Sequence, residues 1–142
     1  MPIRSANAVW EGDLKGGKGK MKFAGGGYEG QYSFSSRFES GQGTNPEELI
    51  AAAHAGCFSM AFSGALGRAG FAPKRISTTA KAHLEKVGEA FRITTIELET
   101  EAEVPGIDNT KFQEAAEGAK KNCPVSQALA GVNITLNAKL IA

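Results

Sequence analysis

The sequence predicts an α+β protein, and three patterns carry that prediction. Short segments punctuated by glycine fill the chain before residue 45, which is the mark of strands joined by turns. A long, nearly uncharged stretch opens with Asn45-Pro46, a helix start. Between Ile96 and Val104, apolar or small residues alternate with glutamates, as a half-buried strand requires. The expected architecture is an antiparallel sheet with helices packed on it, in one domain covering residues 1-142.

Taken in order, candidate strands run from about Arg4 to Glu11, Gly19 to Phe23 and Gln31 to Arg37. The glycines between them match no phosphate-binding loop, because neither a G-K-[ST] nor a strand-to-helix G-x-G-x-x-G context is present. Asn45, Pro46 and Glu48 fit the N-cap, first and third positions of a helix, a capping-box-like N-x-x-E that gives Glu48 a structural role. That helix is expected to pass through Cys57 and stop near Leu66 or Arg68, where Gly67 and Gly70 follow. Its Ala52, Gly56, Ser59 and Ser63 would let another backbone come close. Ser77 to Val87 reads as a strand that Gly88-Glu89-Ala90 turns back to pair with the acidic strand. A second helix is expected from Asp108 to Lys121, with Phe112, Ala115, Ala116 and Ala119 inward. Cys123-Pro124 starts a short helix to about Ala130, and Val132 to Leu140 forms a last strand.

Composition excludes several classes. Sixteen basic and fifteen acidic side chains give a net charge of +1 without long like-charged blocks, so no nucleic-acid partner is expected. Met1 to Ser5 lack the features of a signal peptide, and the expected location is cytoplasmic. Leu49 to Leu66 has about the length of a membrane span. Its Ala, Gly and Ser content and its internal His54 argue for a core helix instead, and no membrane association is expected. Two cysteines are too few for a secreted disulfide framework and do not form a C-x-x-C pair.

The chemistry concentrates at those cysteines. Cys123 precedes Pro124 at a helix start, where unpaired amides and the helix dipole favour a thiolate. By local physics it is the more reactive of the two. Cys57 lies mid-helix, where burial alone raises its pKa, so its activation needs a nearby cation. An isolated cysteine is more often a small buried hydrophobe than a nucleophile. His54 precedes Cys57 by three residues and shares its helical face, a spacing compatible with a Cys-His pair or with metal ligation. Only His83 and Cys123 remain to complete a metal site, and none is expected. Arg37 gains interest if Glu47 pairs with it, since a carboxylate orients the guanidinium and leaves donors for a thiolate or a peroxide oxygen. Glu47 stands about 15 Å along the helix from Cys57, so both can serve that sulfur only if the pair comes from a second subunit.

At these residues the sequence resembles the OsmC/Ohr family of hydroperoxide reductases, and the OsmC branch more than Ohr. The similarity rests on G-T-N-P-E-E-L-I-A-A-A-H-A-G-C-F-S-M-A from Gly43 to Ala61 and N-C-P-V-S-Q-A-L from Asn122 to Leu129. W-E-G-D at Trp10, R-F-E at Arg37 and V-P-G-I-D at Val104 extend it along nearly the whole chain. The resemblance implies an intertwined homodimer, with sheet wrapped around central helices and sites at the subunit interface. It also reverses the local assignment: Cys57 attacks the peroxide, Cys123 resolves the product, and Arg37 and Glu47 form the activating pair. A cation that holds the thiolate can also stabilise the departing alkoxide.

The cycle so implied reduces an organic hydroperoxide to an alcohol and leaves a sulfenic acid on Cys57. A Cys57-Cys123 disulfide follows, reopened by a dithiol such as dihydrolipoamide, with no metal, haem, flavin or other cofactor. Leu49, Ile50, Phe58, Met60 and Phe62 are the apolar candidates for a substrate pocket. Two rival readings stand beside it. A Cys-His hydrolase or acyl transferase would use Cys57 and His54 without Cys123, and a dimeric small-molecule binding protein would use neither cysteine chemically.

Overall fold

Residues 1–141 are described by the computed structural model, in which backbone pairing builds two separate three-stranded sheets. The first unit, Met1–Leu49, carries β1 (Ala6–Glu11), β2 (Lys18–Phe23), β3 (Glu29–Tyr32) and a short helix α1 (Phe34–Phe38). Its strands are antiparallel in chain order. The rings of Trp10 and Tyr32 lie 5.4 Å apart across Gly19, where a Cβ would come within 2.6 Å of both rings. That position accepts no side chain unless the aromatic pair moves.

Here the structure corrects one expectation. The segment Gln31 to Arg37 is not a continuous strand: β3 ends at Tyr32, and Arg37 sits on α1. A reciprocal capping box forces the change, with the Ser36 amide donating to Ser33 Oγ and the Ser33 amide to Ser36 Oγ. The Ser36 hydroxyl also donates to the Thr44 carbonyl at 2.7 Å, and the Thr44 amide donates to Gln31 at 2.9 Å. Gly43, at φ +113°, turns the chain there toward the next helix.

Helix α2 (Pro46–Arg68) spans the boundary between the units. Asn45 Oδ1 accepts the Glu48 amide at 2.7 Å, as the N-cap reading requires. The Glu48 carboxylate instead accepts from the Thr44 hydroxyl, so the box is half formed. The helix ends where Gly70 adopts φ +93° and the Phe71 amide reaches back to Leu66. By length and composition α2 could cross a membrane, but its Phe58, Phe62 and Leu66 are buried in the core of the second unit, Ile50–Ala142.

That unit contains β4 (Arg75–Val87), β5 (Ala90–Glu103), α3 (Asn109–Asn122), α4 (Pro124–Ala128) and β6 (Asn133–Ile141). The β4-β5 hairpin is antiparallel, with a register shift at His83/Leu84. Strand β6 runs parallel to β5, from Thr95 against Asn133 to Glu103 against Ile141. The sheet is therefore mixed, not antiparallel throughout as the sequence reading expected. The reason is connectivity: α3 and α4 lie between β5 and β6, and a helical crossover returns the chain in its original direction. The inward face of β5, with Ile96, Leu98 and Ala102, packs with α2 and with Phe112, Ala116 and Ala119 of α3. Phe62 touches Phe58 and Phe112, at centroid distances of 5.5 and 5.2 Å. A polar tie fixes α2 against the sheet, as the Ser59 hydroxyl donates to Thr78 at 2.8 Å and Thr78 meets Thr100 at 3.0 Å.

Candidate active site

Cys123 ends one helix and begins the next, and both roles pin its sulfur. Its amide donates to Ala119 of α3, while its Sγ accepts the Ser126 amide at 3.4 Å as the N-cap of α4. Pro124 at the first helical position needs no acceptor, which suits it to this tight junction. The Cys57 and Cys123 sulfurs, 66 residues apart in the chain, lie 3.0 Å from each other, and both thiols are free. Closing that gap to a disulfide of about 2.05 Å takes a movement of about 1 Å. Cys123 is fully buried, whereas Cys57 is partly exposed. That difference suits Cys57 to meeting a substrate.

The electrostatics of this pair are unequal. Burial pushes the Cys57 thiol above its ordinary value, and the hydrogen bond it shares with Cys123 pushes it further, against a weaker lowering by the Val125 amide. Burial also opposes ionisation of Cys123, but the Cys57 thiol, the Ser126 amide and hydroxyl and the Val125 amide together hold it below the usual value. Within the second unit, then, Cys123 is the more readily ionised of the two thiols. This matches the local reading of the sequence. Activation of Cys57 requires a cation beyond the groups that now shift it.

The first unit holds a cation on a carboxylate. Arg37 Nε donates to Glu47 Oε1 at 2.8 Å, and the Glu47 side chain is 8% exposed against 39% for Arg37. One guanidinium nitrogen is thereby engaged, and among the described residues the remaining N–H groups make no hydrogen bond. Glu47 Oε2 is buried without a partner among the described residues. The pairing expected from the sequence is present.

The apolar candidates divide. Phe58 and Phe62 are taken up in the core of the second unit, where aromatic packing leaves them no exposed surface. Met60 is 79% exposed, and Leu49 and Ile50 are partly buried. His54 is fully buried, and its Nε2 lies 2.7 Å from the Ser126 hydroxyl. With its ring held by Ser126, it does not make the pairing with Cys57 that a hydrolytic dyad would need. Among the described residues no cluster of three or more His, Cys, Asp or Glu is placed to hold a metal ion. The sequence marks Ser126 only by its place three residues after the capping Cys123, where its amide comes back toward the cap.

Two free thiols within bonding reach, one of them capping a helix, define a dithiol oxidoreductase site on an α+β fold. The sequence pattern described as OsmC-like protein matches residues 39–137. The chain is 51% identical over 138 residues to Peroxiredoxin OsmC of Escherichia coli (strain K12), covering 96% of each chain. It is 32% identical over 98 residues to an organic hydroperoxide resistance protein of Xanthomonas axonopodis pv. citri, covering 68% of this chain and 67% of that one. An OsmC-like protein of unknown function from Vibrio cholerae has a similar fold, with a TM-score of 0.78 at 16% identity, over 97% of this chain and 99% of the other. The chain belongs to the OsmC family.

Proposed function

We propose that this chain reduces organic hydroperoxides to alcohols through a Cys57 sulfenic acid and a Cys57-Cys123 disulfide. The chain is a cysteine-based peroxidase, an oxidoreductase of oxidative-stress defence. The observation that carries the finer reading is the 3.0 Å separation of the two sulfurs. Cys57 thiolate attacks the terminal peroxide oxygen, the O–O bond breaks, and the alkoxide leaves as the alcohol after taking a proton. Cys123 then condenses with the sulfenic sulfur and releases water. An external dithiol, for which dihydrolipoamide is the candidate, reopens the disulfide by exchange.

In this reading the chain works as a homodimer, and Arg37 and Glu47 of one subunit activate Cys57 of the other. Among the described residues no cation is among the groups that shift Cys57, which supports that arrangement. So does the outer face of α2, where Ala52, Gly56, Met60 and Ser63 are exposed small or apolar side chains suited to close helix contact. Leu49, Ile50 and Met60 supply apolar surface for the alkyl group, which favours organic hydroperoxides over hydrogen peroxide.

The test adds one equivalent of cumene hydroperoxide, and in parallel hydrogen peroxide, to reduced protein and maps the products by mass spectrometry. A Cys57-Cys123 link in the wild type and a sulfenic acid on Cys57 in Cys123→Ser are expected, with the organic peroxide faster. Two unmodified thiols would end the proposal. Sedimentation of the reduced protein should report a dimer.

A further inference from the structure

The hydrogen bonds around Cys123 continue past its sulfur into α2. Ser126 is 6% exposed, gives its amide to Cys123 Sγ, and has its hydroxyl among the groups that favour the Cys123 thiolate. The same oxygen lies 2.7 Å from Nε2 of His54, while His54 Nδ1 is buried with no partner among the described residues. The tautomer follows from the cost of that isolation. An unpaired N–H buried at Nδ1 would forfeit a donor, whereas a bare ring nitrogen there forfeits only an acceptor, so the proton belongs on Nε2. Nε2–H then donates to Ser126 Oγ, so the residue whose amide donates to Cys123 Sγ at 3.4 Å is held from α2. Burial lowers the pKa of His54 and keeps the ring neutral, which suits a donor and not a base.

We infer that His54 is a positioning residue for the resolving half-reaction: by holding the Ser126 side chain from the opposite helix, it keeps the Ser126 amide aimed at Cys123 and fixes that sulfur for attack on oxidised Cys57. The inference rests on the peroxidase cycle proposed above. In the step concerned, a lone pair of the Cys123 thiolate forms the S–S bond and the S–O bond of the sulfenic acid breaks. The hydroxide leaves with its electron pair and takes up the proton that Cys123 lost, giving water; the Cys57 sulfur is reduced and the Cys123 sulfur oxidised. His54 undergoes no net change. Its contribution is to keep the thiolate populated and correctly turned.

The experiment mixes reduced protein rapidly with cumene hydroperoxide and times two products separately: Cys57 sulfenic acid, trapped by a carbon nucleophile, and the disulfide, mapped after acid quench. Disulfide formation should slow about ten- to a hundredfold in His54→Leu and in Ser126→Ala, the range for losing a hydrogen bond to a charged group. The double variant should be no slower than Ser126→Ala, since His54 acts only through that hydroxyl. His54→Gln, whose amide nitrogen can reach the same oxygen, should recover most of the rate, which a merely structural role would not predict. Multiplying effects in the double variant, or no recovery with glutamine, would overturn the inference. If His54→Leu does not fold, Ser126→Ala decides alone, and an unchanged resolution rate in it refutes the link. Failure of the wild type to form Cys57 sulfenic acid would instead remove the peroxidase cycle itself.

Discussion

Replacing Cys123 separates its two roles, because serine and alanine both remove the sulfur while only serine can still cap α4. The Ser126 amide donates to Cys123 Sγ at 3.4 Å, in a residue almost wholly buried. Alanine leaves that amide without an acceptor, a loss of about 1–3 kcal/mol for a buried donor, which overlaps the roughly 1 kcal/mol of an N-cap. Serine keeps an acceptor at nearly the same place. Cys123→Ala should therefore be less stable than Cys123→Ser by about 1–2 kcal/mol, or about 3–6 °C in Tm for a chain of this size. Both variants should oxidise Cys57 once per chain and then slow sharply, since neither can form the intramolecular disulfide. Calorimetry at matched protein concentration gives the first comparison, and peroxide consumption with a dithiol reductant gives the second. Equal stability of the two variants would show that the sulfur is not an effective cap. Undiminished turnover would remove Cys123 from the cycle.

Three further outcomes are expected. Because burial holds the folded-state pKa of His54 below about 6.5, the unfolded chain binds more protons than the folded one as pH falls through that value. Stability should then decline below about pH 6.5, by at most about 1.4 kcal/mol per unit from this group, and His54→Gln should flatten the decline in urea unfolding measured across that range. Phe62→Ala, which empties the space between Phe58 and Phe112, should cost about 3–5 kcal/mol in the same unfolding assay; a cost under about 1 kcal/mol would contradict the packing. Arg37→Lys keeps the charge but loses the Nε bond to Glu47, and kcat/KM for cumene hydroperoxide should fall at least about tenfold; full activity would mean that only charge matters there.

The sequence alone was sufficient wherever the cause is local. The Asn45 cap, the Gly70 stop, the Cys123-Pro124 helix start and the alternation from Ile96 to Val104 are short-range patterns, and each appears in the structure where it was expected. The motifs around Cys57 and Cys123 likewise identified the family. The Ser33-Ser36 box is equally local, but serine at the third position is a weaker signal than glutamate or glutamine, so the sequence pattern extends the strand to Arg37 where the structure has α1. Only the tertiary structure decided that β6 runs parallel to β5, that two sulfurs 66 residues apart approach to 3.0 Å, and that Ser126 meets His54 across 72 residues. A cap or a period is set within a few residues by backbone geometry. Strand direction and distant side-chain contacts depend on how whole elements share one core, where many pairings satisfy the same local pattern and packing selects among them.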